Sequence, residues 1–144
     1  MSDITPRDIG RKFEEEFVRI ANCNGYSARQ IHGHKPHDAV VSGLRVQCKD
    51  KAFHEQGRVR IAKGQKRYRH GDWDVLALRF KGNLYLIPEH RLRMPGGTMK
   101  TVIRPRFFAR FIDAWSVFDG AERQHEERML FDIYEEAKDG THAG

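Results

Sequence analysis

The chain has 144 residues, 26 of them Lys or Arg and 20 Asp or Glu, for a net charge of +6. That length suits one domain, 1–144, with a core that needs no covalent staples, and the two cysteines, Cys23 and Cys48, form no Cys-x-x-Cys pair and read as reduced thiols of a cytosolic protein. No apolar run approaches the roughly 18 residues of a membrane span, and Met1 to Pro6 lacks the basic start and apolar stretch of a signal peptide, so neither a membrane partner nor secretion is expected.

Thr5-Pro6-Arg7-Asp8 opens a helix, with a capping hydroxyl, a proline in the first turn and an acid three residues after the cap. Ile9, Phe13, Phe17, Ile20 and Ala21 recur at helical spacing, and Asn24-Gly25 ends the run. Glu14 lies on the edge of the apolar stripe, with Glu15 and Glu16 on more exposed angles. Tyr26 to Ile31 reads as a first strand and His32 to His37 as a loop. His32, His34 and His37 have no cysteine nearby and lack a usual zinc spacing, so they read as solvated donors within reach of phosphate.

Two short strands then meet at Ser42-Gly43, a favoured pair for a tight hairpin. A turn there sets Val41 opposite Leu44, Val40 opposite Arg45, Ala39 opposite Val46 and Asp38 opposite Gln47. Alternation puts Ala39, Val41, Leu44, Val46 and Cys48 on one apolar face, and Asp38, Gln47 and Lys49 on the other with Val40 and Arg45.

Gln56 to His70 is basic, with only Val59, Ile61, Ala62 and Tyr68 apolar, and reads as a helix behind a loop or as a partly mobile arm. Trp73 to Phe80 is a strand, Lys81-Gly82-Asn83 a turn, and Leu84 to Ile87 another strand. Arg91 to Gly97 is loop-like and Met99 to Ile103 one more strand. Phe107, Phe111, Trp115 and Phe118 sit at helical spacing, as do Met129, Ile133 and Ala137, which gives a helical extension over about 105–139. With Phe108, five large aromatics fall within twelve residues, and this richness favours a subunit interface over a small core.

Charge is unevenly distributed. Arg45 to Arg69 holds nine basic and two acidic residues, while Ala121 to Asp139 holds three basic and seven acidic ones. A basic middle and an acidic tail fit one face for nucleic acid and another turned away from it. Lys51, Arg58, Arg60, Lys63, Lys66, Arg67 and Arg69 are the expected DNA contacts, holding the backbone without reading sequence. Asp38, Gln47 and Lys49 gather a carboxylate, a carbonyl oxygen and an ammonium at one end of a hairpin. Oxygen ligands suit a hard cation such as Mg²⁺, and a lysine stabilises charge developing on a phosphate.

These residues resemble the PD-(D/E)xK nuclease superfamily, whose motif is an Asp, a short hairpin, then an acid, any residue and Lys. Here it reads His37-Asp38 followed by Gln47-Cys48-Lys49, with Gln47 where an acid is usual, as in Mrr-type restriction endonucleases and one group of intron homing endonucleases. Gly10-Arg11-Lys12-Phe13-Glu14 is similar to the first helix of these nucleases, and Asp72 to Pro88 to their later strands, so the core spans about 5–88. The resemblance implies an α/β restriction-endonuclease-like fold (αβββαβ, a mixed sheet flanked by helices) with added C-terminal helices. It implies a Mg²⁺-dependent endodeoxyribonuclease, Mn²⁺ substituting. Glu14, Asp38, Gln47 and Lys49 would be catalytic, with metal held by Glu14, Asp38, Gln47 and the backbone carbonyl of Cys48. The compact chain is closest to Holliday junction resolvases, which act as homodimers on branched DNA. A homing or Mrr-like enzyme on duplex DNA and an inactive DNA-binding module of the same fold are the alternatives. Each places the chain in the cytoplasm of a prokaryotic or phage-infected cell.

Overall fold

A computed structural model describes residues 6–32, 37–52, 56–62 and 68–119. Helix α1 spans Pro6–Cys23, the proline presetting the backbone angle of its first turn. Phe13, Phe17 and Ala21 form its buried stripe, and full burial of Phe17 alone is worth about 1.5–3 kcal/mol. The helix stops where the sequence says it should. Gly25 adopts φ +90°, its N–H donates to Asn22 O at 3.0 Å, and Tyr26 N–H donates to Ala21 O at 3.1 Å. This 6→1 and 5→2 pair caps the last carbonyls.

Seven strands follow: β1 Ala28–Gln30, β2 Ala39–Val41, β3 Leu44–Lys51, β4 Val59–Arg60, β5 Val75–Phe80, β6 Asn83–Pro88 and β7 Val102–Ile103. Five form one sheet in the order β1-β2-β3-β5-β6, and β4 pairs with β7 as a separate ribbon. β3 and β5 run parallel; the other pairs are antiparallel. The β2–β3 register is the expected one, Val41 opposite Leu44, Val40 opposite Arg45 and Ala39 opposite Val46. Its turn has φ 48° at Ser42 and 84° at Gly43, and the β5–β6 turn repeats this with 48° at Lys81 and 82° at Gly82. Two successive positive φ values make a type I′ turn, whose twist matches that of the strands.

Val75, Leu76, Ala77 and Leu78 are fully buried, so β5 is covered on both faces. Arg79 identifies the face under α1. Its guanidinium lies over the Phe13 ring at 4.8 Å and bonds Asp50 at 2.6 Å and Glu16 at 3.0 Å. Asp50 and Arg79 are register partners across β3 and β5, so Val46, Cys48 and Asp50 share that face with α1. Lys49 and Gln47 occupy the opposite pleat.

Two expectations need correction. The connection from β3 to β5 holds no helix among its described residues, 56–62 and 68–70. Val59 and Ile61 are both fully buried. Their two-residue spacing is that of a strand, and β4 pairs Val59 with Ile103 and Arg60 with Val102. With Tyr68 buried as well, this stretch is pinned rather than a free arm; Lys63, Lys66 and Arg67 lie outside the described residues. The aromatic series is not one helix either. It forms two 3₁₀ segments, Pro105–Phe111 and Trp115–Phe118, broken at Asp113 (φ 50°). There Asp113 N–H donates to Leu84 O at 2.8 Å and Ile112 bridges to Tyr85, so pairing with β6 overrides the helical spacing. Phe111 and Phe118 are buried within the chain itself, and Trp115 stacks on Phe17 with centroids 5.9 Å apart. These side chains belong to the core, not to a subunit interface; of the series, Phe107 stays exposed at 67%. The expected helix around Met129, Ile133 and Ala137 lies outside the described residues.

Candidate active site

β2 ends at Ala39, and the chain departs from the ladder one residue earlier. Asp38 N–H donates to Val46 O at 2.8 Å, and the Asp38 carboxylate accepts Cys48 N–H at 2.9 Å. The side chain of Asp38 thus replaces the strand partner that β3 loses there. On its other side Asp38 O accepts Ile31 N–H at 2.8 Å, which ties the end of β1 to the same point.

Glu14 reaches this point from α1. Of the three consecutive acids it is the one at the site; Glu16 is committed to Arg79 and Glu15 faces solvent. Gln30 Nε2 donates to Glu14 Oε2 at 3.1 Å. A cavity of about 160 Å³ is lined by Arg11, Glu14, Gln30, Ile31, His32, His37 and Asp38. Within it the Glu14 carboxyl is pushed up to about 7, first by burial, then by the charge of Asp38 beside it and a hydrogen bond between the two carboxyls. The bond from Gln30 and the charge of Arg11 oppose the rise without cancelling it. A carboxyl titrating near neutrality next to a second carboxyl is what a cation site looks like before a cation neutralises it.

The remaining expected residues sit near this pair but outside the lining of its cavity. Gln47 is buried, and its Nε2 donates a long 3.4 Å bond to the Cys48 carbonyl oxygen. Lys49 places its ammonium 5.8 Å from the centre of the Tyr68 ring. Burial, with the charges of Asp38 and Glu14, pushes the Cys48 thiol well above its ordinary range, so it stays protonated and inert. Arg45 is bound to Asp74 at 3.2 Å and to the carbonyl of Gly71, fastening β3 to the loop before β5.

Among the described residues no group of three or more His, Cys, Asp and Glu is arranged to hold a metal. The donor set here is a different one: two carboxylates, an amide and a backbone carbonyl, all oxygen donors, which suits a hard divalent cation that keeps much of its water. Arg11, Gln30, His32 and Tyr68 were not expected as site residues. Arg11 precedes Glu14 by three positions, one helical turn, and Gln30 is the β1 partner of Ala39, next to Asp38; the first relation was readable from the sequence, the second only from the pairing of β1 with β2.

Of the expected DNA contacts, Arg58, Arg60 and Arg69 are exposed and Lys51 half-buried. Arg60 projects from the β4–β7 ribbon, whose pairing continues toward the site through Ile61 N–H to Thr101 O at 2.8 Å and Met99 N–H to Tyr68 O at 3.0 Å. No helix among the described residues is long and apolar enough to cross a membrane.

No family model and no curated protein matches this chain by sequence. Solved structures do. The bacterial homing endonuclease I-Ssp6803I superimposes with a TM-score of 0.56 at 17% identity, over 78% of this chain and 92% of its own. Hjc, a Holliday junction resolvase from Archaeoglobus fulgidus, superimposes with a TM-score of 0.49 at 14% identity, over 69% and 87%. A helix that brings Glu14 to the base of the β2–β3 hairpin, on a mixed five-stranded sheet shared with such an enzyme, gives this chain the restriction-endonuclease-like nuclease fold.

Proposed function

We propose that the chain is a Mg²⁺-dependent endonuclease that hydrolyses DNA phosphodiester bonds. The observation that carries this reading is the meeting of Glu14 and Asp38 in one cavity, with the Glu14 carboxyl pushed up to about 7. Two carboxyls do not share a buried wall without cost unless a cation is to join them. Glu14, Asp38, the carbonyl of Cys48 and the amide oxygen of Gln47 would hold Mg²⁺, with Mn²⁺ able to replace it. When bound, the cation supplies charge neutralisation at the phosphate.

The chain's own residues do the rest. The Cys48 amide fixes the Asp38 carboxylate, so one anchor of the site does not have to be ordered when substrate arrives. Lys49 brings a positive charge for the scissile phosphate and for the water that attacks it. Attack of water on phosphorus forms one P–O bond and breaks another, and the leaving strand end takes up a proton. Arg58, Arg60, Arg69 and Lys51 hold the flanking backbone.

Phosphate contacts of this kind position a duplex without reading its bases, which fits structure-specific cutting of branched DNA. Sequence-specific cutting of linear duplex is the second reading, favoured by the fold shared with a bacterial homing endonuclease. Either substrate offers two strands, and a homodimer would supply two sites. The deciding experiment is a cleavage panel of four-way junction, flap and linear duplex, each with Mg²⁺, with Mn²⁺ and with EDTA. Cutting that needs the metal and prefers the junction supports the first reading. Cutting of one linear sequence supports the second. Binding with no cutting under any metal leaves a DNA-binding module and refutes the enzyme.

A further inference from the structure

Tyr68 has no part in the arrangement described so far, yet it touches Lys49. It is 4% exposed. Trp73 meets its ring edge-on, with centroids 5.5 Å apart and planes at 77°, and its carbonyl accepts Met99 N–H at 3.0 Å. Ring and backbone are therefore both fixed. The Lys49 ammonium lies 5.8 Å from the ring centre, within the range in which an aromatic face attracts a cation. The hydroxyl is the anomaly: it is buried and has no hydrogen-bond partner among the described residues. Buried hydroxyls in folded proteins are nearly always bonded, and an unbonded one is a standing cost.

We propose that Tyr68 is a phosphate-binding residue of this site, its ring holding the Lys49 ammonium in place and its hydroxyl kept for an oxygen of the bound DNA phosphodiester. The inference rests on the nuclease reading above. A phosphate oxygen is the acceptor that this pocket lacks. A neutral donor beside Lys49 adds a hydrogen bond to the charge that the lysine brings. Burial and the charges of Asp38 and Asp72 push the phenol up, so it remains a donor at neutral pH. The rigid mounting matters because a donor aimed in advance costs nothing to order when charge develops on the phosphate.

Tyr68→Phe removes the hydroxyl and keeps the ring. A hydroxyl with a structural partner would make this variant melt several degrees lower, and that result would overturn the proposal. The expected result is a melting temperature equal to or above that of the wild type, with kcat lowered about a hundredfold and KM little changed; unaltered kcat would also overturn it. A second readout needs no turnover. The chain has four tyrosines, and with ¹³Cζ-tyrosine labelling the Tyr68 signal is identified by its absence from Tyr68→Phe. It should move when a phosphorothioate-linked DNA duplex is added with Mg²⁺, and an unmoved signal refutes the contact even if the chain cuts DNA. A moved signal from a chain that cuts nothing keeps the phosphate contact and refutes the nuclease reading instead.

Discussion

The Asp38 carboxylate accepts the Cys48 amide at 2.9 Å, across the mouth of the β2–β3 hairpin. One side chain thereby closes a sheet and anchors a candidate active site. The two tasks respond differently to mutation, which makes them separable.

Asp38→Asn keeps an oxygen for the Cys48 amide and removes the charge. It should abolish cleavage while changing the melting temperature by only a few degrees, and tighten DNA binding by removing a negative charge near phosphate. Asp38→Ala should abolish cleavage too, and cost a further ~1–2 kcal/mol because a buried N–H is left unbonded. Denaturant unfolding of both variants beside a cleavage assay checks this; an active Asp38→Asn would refute the site.

Glu14 makes stability depend on pH in an unusual direction. Its folded pKa of about 7 lies above the ordinary 4.5, so between these values the folded chain holds a proton that the unfolded chain has lost. Stability therefore falls as pH rises through this window. Glu14→Gln should be more stable than wild type at pH 8, by about 1 kcal/mol once solvent screening is allowed for, and the two should converge below about pH 4.5. Unfolding curves at pH 4.5, 6 and 8 test the sign. Protons and metal compete for Glu14, so half-saturating Mg²⁺ should rise as pH falls below about 7.

Gln47→Glu places an acid where related nucleases carry one, but in a buried position. Without metal the variant should lose about 1–3 kcal/mol of stability, the usual cost of a poorly compensated buried polar group. Mg²⁺ should restore that loss, and cleavage should saturate at lower metal than in the wild type. A melting temperature that ignores Mg²⁺ would place Gln47 outside the metal site.

Replacing Arg58, Arg60 and Arg69 together should weaken DNA binding and flatten its salt dependence. Each lost phosphate contact removes about 0.9 from the slope of log affinity against log salt, so three contacts give a change near ~3. An unchanged slope would make these exposed residues a solvated face only.

Phe111→Glu/Trp115→Glu should unfold the chain rather than dissociate a dimer, because Phe111 is buried and Trp115 stacks on Phe17. Sedimentation with circular dichroism separates the two outcomes. If the double variant stays folded and only its mass falls, these aromatics form an interface after all.

The hairpins were legible because their turns are local. Ser42-Gly43 and Lys81-Gly82 each supply two residues that accept positive φ, and a turn of known length fixes every pair that follows. What escaped was set at long range. Val59 and Ile61 carry a strand period of two residues, but the basic side chains around them hid it, and the partner strand lies more than forty residues away. The i, i+4 aromatics from Phe107 to Trp115 mimic a helix until Asp113 pairs with Leu84, which no local spacing reports. Within the site, Asp38 and Lys49 could be read from motif order. Gln30 and Tyr68 could not, since each enters through a partner strand or a ring contact that sequence separation conceals.

The bridge from Ile112 to Tyr85 has a consequence for the behaviour of the chain at high concentration. β6 is the last strand of the sheet, and an outermost strand presents unfilled backbone donors and acceptors to any passing extended peptide. The segment from Pro105 to Phe118 lies along that border and occupies part of it. A chain truncated before Arg104 would lose this guard together with Phe111 and Phe118, and would tend to stack edge to edge into insoluble aggregates.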